Sequence, residues 1–296
     1  MTERLLSGDP PQRLLLAIDL SSRGDRAFDR AIQLARAWRA ELHLVHAVEA
    51  PPPAIPAGVD SEVFLRRYPD VKAEALRRIR RYVETSELAT AIHVEDAPAA
   101  KAILAVAERE ACDLLILGES RDGLSGLLES TLEQVVRKAP ISVLAVRNRP
   151  HAPYRSLLVG TDFTDEAQQA LVVAARLFPA ADITLMHAHQ MAYAGLLENA
   201  SQSSESEAEH RARLRAHIED TDLTPERKGS IHTRVDVGAP AAVLQRYVND
   251  SGADLTVIGA HPRGILFDAV VGTSRSILGA IPGDVLVVRA IRRDID

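Results

Sequence analysis

The chain has 296 residues, about twice the size of the commonest single domain, so two domains are expected. Hydrophobic residues make up 46% of it and charged residues 26%, the balance of an ordinary globular protein. The formal net charge is −6 at pH 7 and both signs are scattered along the chain, which gives no reason to expect a nucleic acid or a membrane surface as partner.

Cysteine usage and the first residues indicate a compartment. The single cysteine, Cys112, excludes an intrachain disulfide and fits a reducing environment. The stretch from Met1 to Arg13 is polar and has no apolar signal-peptide core, and no apolar run reaches the ~18 residues of a membrane span. We therefore expect a soluble, cytoplasmic protein.

Short apolar runs alternate with helical patterns along the first half. The runs are nearly all apolar, as expected of strands that are covered on both faces. Alternating strands and helices predict parallel strands joined by right-handed crossovers, with helices on both faces of the sheet. The predicted strands are residues 14–18, 42–48, 92–95, 114–117 and 143–146, and the predicted helices include 26–38, 98–110 and 127–138.

The second half repeats the first. Five segments recur in the same order at an offset of 141 to 143 residues, as in Asp19 and Asp162 or His46 and His187. Such ordered matches indicate a tandem duplication. Prolines near 148–153 mark the junction. We therefore predict two α/β domains, 1–149 and 150–296, each a doubly wound, five-stranded parallel sheet.

Two segments interrupt this rhythm, each after the second strand of its half. Residues 49–70 contain three consecutive prolines, and residues 190–224 contain a run from Ser201 to His210 that is rich in serine and glutamate. We predict that both segments are surface excursions leading into a helix.

The predicted sheets place polar residues at one edge. In open α/β sheets, ligands bind at the carboxyl ends of the strands, where the strand order switches direction. In each half an aspartate ends the first strand, a glycine ends the fourth, and the next helix starts with hydroxyl side chains, which suit a phosphate. These residues are Asp19, Gly118 and Ser130 in the first half, and Asp162, Gly259, Gly272, Thr273 and Ser274 in the second.

The element order and these residues resemble the universal stress protein family in its tandem form, over essentially the whole chain. ATP-binding members carry a glycine, two residues, a second glycine, nine residues, then glycine and serine or threonine, together with the aspartate of the first strand. In the second half Gly259, Gly272 and Thr273 keep this spacing, and Asp162 matches the aspartate that contacts adenosine.

The resemblance implies a Rossmann-like fold of the adenine nucleotide alpha hydrolase-like type. It also implies a stress-response regulatory protein that binds ATP, with or without Mg²⁺, and is not an enzyme. The predicted nucleotide site includes other residues of the same loop and helix start, with positive charge supplied by an arginine; they are His261, Arg263, Gly264 and Ser274.

Both halves depart from the family motif. Pro262 stands where the second glycine belongs, which removes one backbone N–H donor. In the first half the segment after Gly118 is two residues shorter, and Glu129 takes the place of the final glycine. Glu119 adds another carboxylate, and carboxylates repel a phosphate. We therefore predict the nucleotide site in the second half, with a degenerate counterpart in the first.

Two other functions stay open. One is an interaction scaffold of the stress response that binds no nucleotide, which Pro262 and Glu129 favour. The other is a slow ATP hydrolase, for which His261 or Asp268 is the candidate general base.

The resemblance also predicts how the halves associate. The last strand of each half, from Val143 to Val146 and from Val285 to Val288, is expected to pair across the halves or with a second chain. The result is an intramolecular pseudo-dimer or a homodimer.

Several residues also have purely structural interpretations. Asp19 and Asp162 suit helix caps, and the glycines suit turns. Cys112 aligns with Ala253 before a buried strand, so it is predicted to be a small core residue.

The histidines of the second strands are expected to be structural. His187 and His189 share one face of a strand, whereas His43 and His46 point to opposite faces. With no cysteine or clustered carboxylates beside them, we predict no metal site. His46 and His187 occupy equivalent positions and are predicted to be half-buried and hydrogen-bonded.

Overall fold

Apolar runs form strands, and the stretches between them form helices, in both halves of the chain. The computed structural model of the protein describes residues 9–20, 25–48, 71–84, 86–118, 130–189, 200–260 and 278–289, with the backbone alone for 200–206. Within these ranges no helix is both long and apolar enough to cross a membrane.

The first half alternates strands and helices as predicted. Its strands are β1 (Arg13–Ala17), β2 (Glu41–Ala47), β3 (Thr90–Glu95), β4 (Leu114–Gly118) and β5 (Ser142–Val146). Its helices are α1 (Asp25–Trp38), α2 (Val71–Val83), α3 (Ala99–Arg109) and α4 (Thr131–Lys138).

The second half has the same succession. Its strands are β6 (Ser156–Gly160), β7 (Asp182–His189), β8 (His232–Val237), β9 (Leu255–Ala260) and β10 (Asp284–Arg289). Its helices are α5 (Asp165–Leu177), α6 (Ala200–Glu219), α7 (Pro225–Gly229) and α8 (Pro240–Ser251).

All ten strands join one sheet in the order β3-β2-β1-β4-β5-β10-β9-β6-β7-β8. Successive strand residues point to opposite sides of the sheet, so apolar strands make both faces apolar, and helices cover both. Leu14 and Leu16 pack in the layer with α1, α2, α5 and α6, whereas Leu15 packs in the layer with α3, α4 and α8. This arrangement confirms the predicted fold, two tandem doubly wound units with parallel strands inside each half.

Helix α4 starts later than the helix predicted over residues 127–138. Helix α4 begins at Thr131 because Ser130 caps it: the Ser130 hydroxyl accepts from the Glu133 N–H, and the Glu133 carboxylate accepts from the Ser130 N–H. The run from Ser201 to His210 lies within α6, so it is not an excursion. Residues 49–70, predicted to be the other excursion, lie outside the described residues.

The two halves meet along an antiparallel pair of strands. In this pair Val143 of β5 faces Val287 of β10, and Ala145 faces Val285, so the predicted pairing of the last strands is confirmed within one chain. The Trp38 and Phe178 rings contact each other across this junction, with centroids 5.9 Å apart.

A buried network ties the halves together at the end of this pair. Asp284 is fully buried and accepts hydrogen bonds from the Arg147 and Asn148 backbone N–H groups at 2.8 and 2.9 Å, and from the Tyr154 hydroxyl at 2.6 Å. The Arg30 Nε atom of α1 lies 3.7 Å from the same carboxylate, and its guanidinium covers the Tyr154 ring at 3.8 Å. We call these five residues the junction network.

Two arginines reach across the junction in opposite directions. The Arg147 guanidinium, after β5, donates to the carbonyls of Ile281 and Gly283 in the second half at 3.1 Å each. The Arg289 guanidinium, at the end of β10, donates to the Val136 carbonyl of α4 in the first half. Each half therefore satisfies carbonyl groups of the other.

The small core residue predicted at Cys112 is confirmed. Its side chain is buried beside β4, and burial raises the pKa of the thiol to about 12. The thiolate is therefore absent at neutral pH, and the residue is inert.

Candidate functional site

The strand order reverses between β6 and β9 in the second half, as it does between β1 and β4 in the first. At such a reversal the loops after neighbouring strands diverge to opposite faces and leave a crevice at the carboxyl ends. Val159 of β6 is in register with Val257 of β9, so the chain beyond β6 and the end of β9 reach the same edge. The structure thus brings Asp162 and Gly259 to one crevice.

Asp162 organises the turn between β6 and α5. Its Oδ1 atom accepts hydrogen bonds from the Thr164 N–H at 3.1 Å and from the Thr164 hydroxyl at 2.5 Å. Thr164 in turn caps α5 by accepting from the Ala167 N–H at 3.3 Å, and Phe163 between them has a φ of +67°. Asp162 is exposed, and its Oδ2 atom forms no hydrogen bond with any described residue.

Gly259 is explained by packing. A Cβ atom at this position would lie 2.3 Å from the Glu166 carbonyl oxygen and 2.8 Å from the Ala167 nitrogen. Both are backbone atoms in the first turn of α5, so the strand and the helix approach closely only because residue 259 has no side chain. A ligand is therefore not needed to account for this glycine.

The first half has a similar turn but a different helix start. Leu20, after the exposed Asp19, has a φ of +58°, as Phe163 has after Asp162. Gly118 ends β4 at the matching position. The capping box brings the Glu133 carboxylate back to the Ser130 N–H, so a negative charge stands at this helix start, where it would repel a phosphate.

Most of the predicted loop lies outside the described residues. His261, Arg263, Gly264, Gly272, Thr273 and Ser274 belong to this group, as do Pro262, Asp268, Glu119 and Glu129. Their placement in a nucleotide site therefore stays a prediction.

Four histidines gather beside Asp162 at the carboxyl end of β7. The His187 Nδ1–H donates to the Thr161 carbonyl at 2.9 Å, as the His46 Nδ1–H does to the Ile18 carbonyl at 2.8 Å, which confirms the predicted hydrogen-bonded pair. In the second half alone, further histidines follow: the His210 ring lies 5.0 Å from that of His187 and 4.5 Å from that of His189. With His217 they form what we call the histidine cluster.

The surroundings of this cluster lower the pKa values of three of its members, His187, His189 and His217. Burial lowers the pKa of His187, and neighbouring His210, His189 and Arg213 lower it further, against the hydrogen bond to the Thr161 carbonyl, which raises it. Burial also lowers the pKa of His189, where His210 acts in the same direction and Glu207 opposes. The Arg213 guanidinium lies 4.2 Å above the Phe163 ring and adds a fixed positive charge.

His217 completes the cluster from α6. Burial is the largest cause that lowers its pKa, with Arg213 acting alongside, while Asp162, Asp220 and Asp165 oppose. Its Nε2 atom lies 3.3 Å from the Thr161 hydroxyl. The site thus joins a carboxylate, hydroxyls and neutral imidazoles at one strand edge.

Lowering the pH is expected to destabilise the protein through this cluster. Because the pKa values of His187, His189 and His217 are lowered on folding, the stabilisation is complete above the unfolded value of about 6.5 and is lost as pH falls below it. Denaturant unfolding at pH 7.5 and 5.5 measures the loss. The loss of stability between pH 7.5 and 5.5 should be smaller in His189→Gln than in the unsubstituted protein. His151→Gln, at an exposed histidine, is the control and should show the full loss. An equal loss in both variants would contradict a role of His189 in the pH dependence.

Sequence reasoning missed half of the histidine cluster. His210 and His217 are in α6, which was expected to begin later in the chain. A signal existed: Leu214 and Ile218 are four residues apart and buried, so the histidines one turn away on the same stripe face the sheet as well.

The chain matches known proteins over both halves. The model of the universal stress protein family matches residues 11–147 and again 153–289. Universal stress protein A homolog 1 of Coxiella burnetii (strain RSA 493 / Nine Mile phase I) is 27% identical over 46% of this chain and 95% of its own length. Homolog 2 of that organism is 32% identical over 47% of this chain and 97% of its own length.

A solved structure is similar along the entire fold. The crystal structure of a universal stress protein from Archaeoglobus fulgidus DSM 4304 gives a TM-score of 0.64 at 16% identity and covers 98% of this chain and 100% of its own. At this identity the likeness concerns the fold alone. Together with the two family matches that span both halves, it shows that this chain belongs to the universal stress protein family, in its tandem form.

Proposed function

We propose that this protein is a cytoplasmic stress-response factor whose second half binds an adenine nucleotide, ATP with Mg²⁺, without catalysing a reaction. The domains are 1–149 and 150–296, and the first carries a degenerate site that holds no nucleotide. Binding in the second orders the loop after β9 and so changes a surface that a partner protein reads.

The exposed carboxylate of Asp162 is the observation that carries this proposal. It lies at the crevice between β6 and β9, where ligands of doubly wound sheets bind. Its Oδ1 atom is held by Thr164, and its Oδ2 atom is available to a donor such as the amino group of adenine or a ribose hydroxyl. The family motif spacing from Gly259 to Thr273 supports a phosphate site at the following Gly272-Thr273-Ser274 segment.

The halves differ in ways that favour the second as the site. The histidine cluster surrounds its crevice with polar donors and acceptors, whereas the first half has only His46 of this set, with Val48 at the position of His189. In the first half the capping box also places the Glu133 carboxylate at the start of α4, where it would repel a phosphate.

An interaction scaffold that binds no nucleotide is the second candidate. Two observations favour it: Pro262 interrupts the motif, and the packing of Gly259 against Glu166 accounts for that glycine without a ligand. The intramolecular pairing of β5 with β10 already supplies the dimer-like core of such a scaffold. A homodimer of two chains would have to use another surface, and we propose it only as a weak, additional assembly.

Calorimetric titration of the full chain with ATP and Mg²⁺ tests the proposal. We expect one binding event with a micromolar dissociation constant. Asp162→Ala, at the exposed residue, should weaken binding by about tenfold or more, since it removes a hydrogen bond to the ligand. Gly272→Glu should abolish it through repulsion of the phosphates.

Asp19→Ala is the matched control, because it changes the equivalent exposed aspartate of the first half. Equal losses in Asp19→Ala and Asp162→Ala would place the nucleotide elsewhere. No heat and no thermal stabilisation at millimolar ATP would leave the scaffold as the function. Phosphate release that disappears in His261→Ala would instead support the hydrolase.

A further inference from the structure

Histidines and a glutamate meet at the outer edge of the first half, independently of the nucleotide crevice. His43 lies near the start of β2, His93 lies in the edge strand β3, and Glu110 follows α3. Among the described residues, these three alone bring His, Cys or carboxylate ligand atoms within 4.8 Å of one another. With Arg109, which contacts two of them, we call them the edge cluster.

Hydrogen bonds assign the protons of the edge cluster. The Arg109 guanidinium can only donate, so the His93 Nδ1 atom at 3.1 Å accepts and the proton of that ring is on Nε2. The His93 Nε2–H then donates to the His43 Nδ1 atom at 3.2 Å. His43 therefore carries its own proton on Nε2.

The Nε2 atom of His43 is the unusual feature of the edge cluster. The His43 side chain is 5% exposed, and its Nε2 atom has no hydrogen-bond partner among the described residues. The Glu41 carboxylate lies 3.5 Å away, but without the geometry of a hydrogen bond. A buried donor without a hydrogen bond is costly, and a small movement of the exposed Glu41 side chain would bring its carboxylate into hydrogen-bonding range.

We propose that the edge cluster is a binding site for a divalent transition-metal cation of the zinc type, held by His43 Nδ1, His93 Nε2 and the Glu110 carboxylate. Two ligands of a tetrahedral zinc ion with bonds of about 2.0–2.1 Å are about 3.3 Å apart. The two facing ring nitrogens are 3.2 Å apart, close to this spacing. The Glu110 Oε1 atom lies 3.8 Å from the His93 Nδ1 atom, so this side chain, 28% exposed, has to rotate toward Nε2 to join the two nitrogens.

The groups behind the two imidazoles suit such an ion. A metal on His43 Nδ1 makes the Nε2–H a stronger donor toward Glu41, which resembles the carboxylate–histidine arrangement that orients zinc ligands. Glu41, Glu95 and Glu110 supply negative charge around the ion.

Arg109 is the competitor for this site. Its guanidinium donates to His93 and pairs with Glu95 and Glu110 at 2.9 Å each. When a metal takes His93 Nε2, the proton of that ring moves to Nδ1, which no longer accepts from Arg109. Because the Arg109 side chain is 50% exposed, it can leave the ring and keep its contact with Glu95. The metal and the Arg109 guanidinium therefore exclude each other at His93. The proposal thus predicts that removing Arg109 strengthens metal binding.

Zinc titration of the full chain after treatment with EDTA tests the proposal. We expect one saturable site by calorimetry and a rise in the thermal midpoint of about 5 °C at 100 μM zinc chloride. His93→Gln and Glu110→Gln should each weaken binding at least about tenfold. Arg109→Ala should tighten it, because the competing cation is gone. His189→Gln is the control for the histidine cluster and should leave binding unchanged.

Several results would overturn the proposal. They are the absence of saturable binding at 100 μM zinc, binding that survives His93→Gln or Glu110→Gln, loss of binding in His189→Gln, and unchanged or weaker binding in Arg109→Ala. Thermal unfolding of each variant in EDTA checks that it folds. If His93→Gln fails to fold, Glu110→Gln decides, since Glu110 lies at the exposed end of a helix.

Discussion

Replacing Asp284 with alanine is expected to lower the free energy of unfolding by about 3–5 kcal/mol, because it removes one partner of a buried ion pair. Asp284 is fully buried, and the Arg30 side chain that pairs with it is 5% exposed. The substitution leaves that cation without its carboxylate and also leaves the Tyr154 hydroxyl and two backbone N–H groups without an acceptor. Burial, together with the Asp284 carboxylate, raises the pKa of Tyr154 well above its usual value, so the hydroxyl stays a donor.

Thermal and denaturant unfolding measure this effect, and a fall in the thermal midpoint of roughly 10 °C is expected. Asp222→Ala is the control. Asp222 also pairs with an arginine, Arg176, at 2.6 Å, but its side chain is 70% exposed. Exposed pairs contribute only about 0.2–1 kcal/mol. Similar losses in the two variants would show that the junction network does not hold the halves together.

The second large effect is expected at Gly259. A methyl group there meets backbone atoms of Glu166 at 2.3 and 2.5 Å, and neither the strand nor the helix can move away without opening the core. Gly259→Ala should therefore cost at least about 3 kcal/mol, at the upper end of overpacking effects. Equilibrium unfolding in denaturant measures the loss, and a poor yield of folded protein would agree with it.

Gly229→Ala is the matched control for this variant. Gly229 is the last residue of α7, and a Cβ atom there would have no neighbour within 4 Å. The change to alanine should be neutral or stabilise by up to about 1 kcal/mol, since alanine favours helix. If Gly259→Ala were equally harmless, the close approach of β9 and α5 would be wrong, and the glycine would require a ligand as its explanation.

The fold was largely predictable because the periodicity of this sequence is unambiguous. Strands buried on both faces are continuous apolar runs, and five segments of the pattern recur in the same order in both halves. The helical pattern over residues 127–138 begins four residues before α4, because the capping box of Ser130 and Glu133 decides the start; the prediction of a helix start at Ser130 is confirmed. The extent of α6 was missed because the serine-rich run from Ser201 to His210 reads as a surface segment until its buried partners at Leu214 and Ile218 are known.

The candidate site was less predictable, for a physical reason. A glycine that admits a ligand and a glycine that admits a neighbouring helix look identical in a sequence, and Gly259 is accounted for by the second role. Asp162 was found because its position at a strand end follows from the fold class. The histidine cluster and the edge cluster were not, since their members come from different elements, and tertiary structure alone brings His210 to His187 or Glu110 to His43.

The seam between β5 and β10 is not symmetric. At each end the backbone N–H of an arginine donates to a side chain of the other half, but the acceptors differ. The Arg289 N–H donates to the Ser142 hydroxyl at 3.0 Å, whereas the Arg147 N–H donates to the Asp284 carboxylate at 2.8 Å. In a dimer of identical subunits, symmetry would place the same residue at the positions of Ser142 and Asp284. If that residue were aspartate, two buried carboxylates would need two cations. Here the Arg30 cation that pairs with Asp284 comes from the other half. Because the two halves are fused in one chain, they carry different residues at the junction, and each fits the other half and not a second copy of itself.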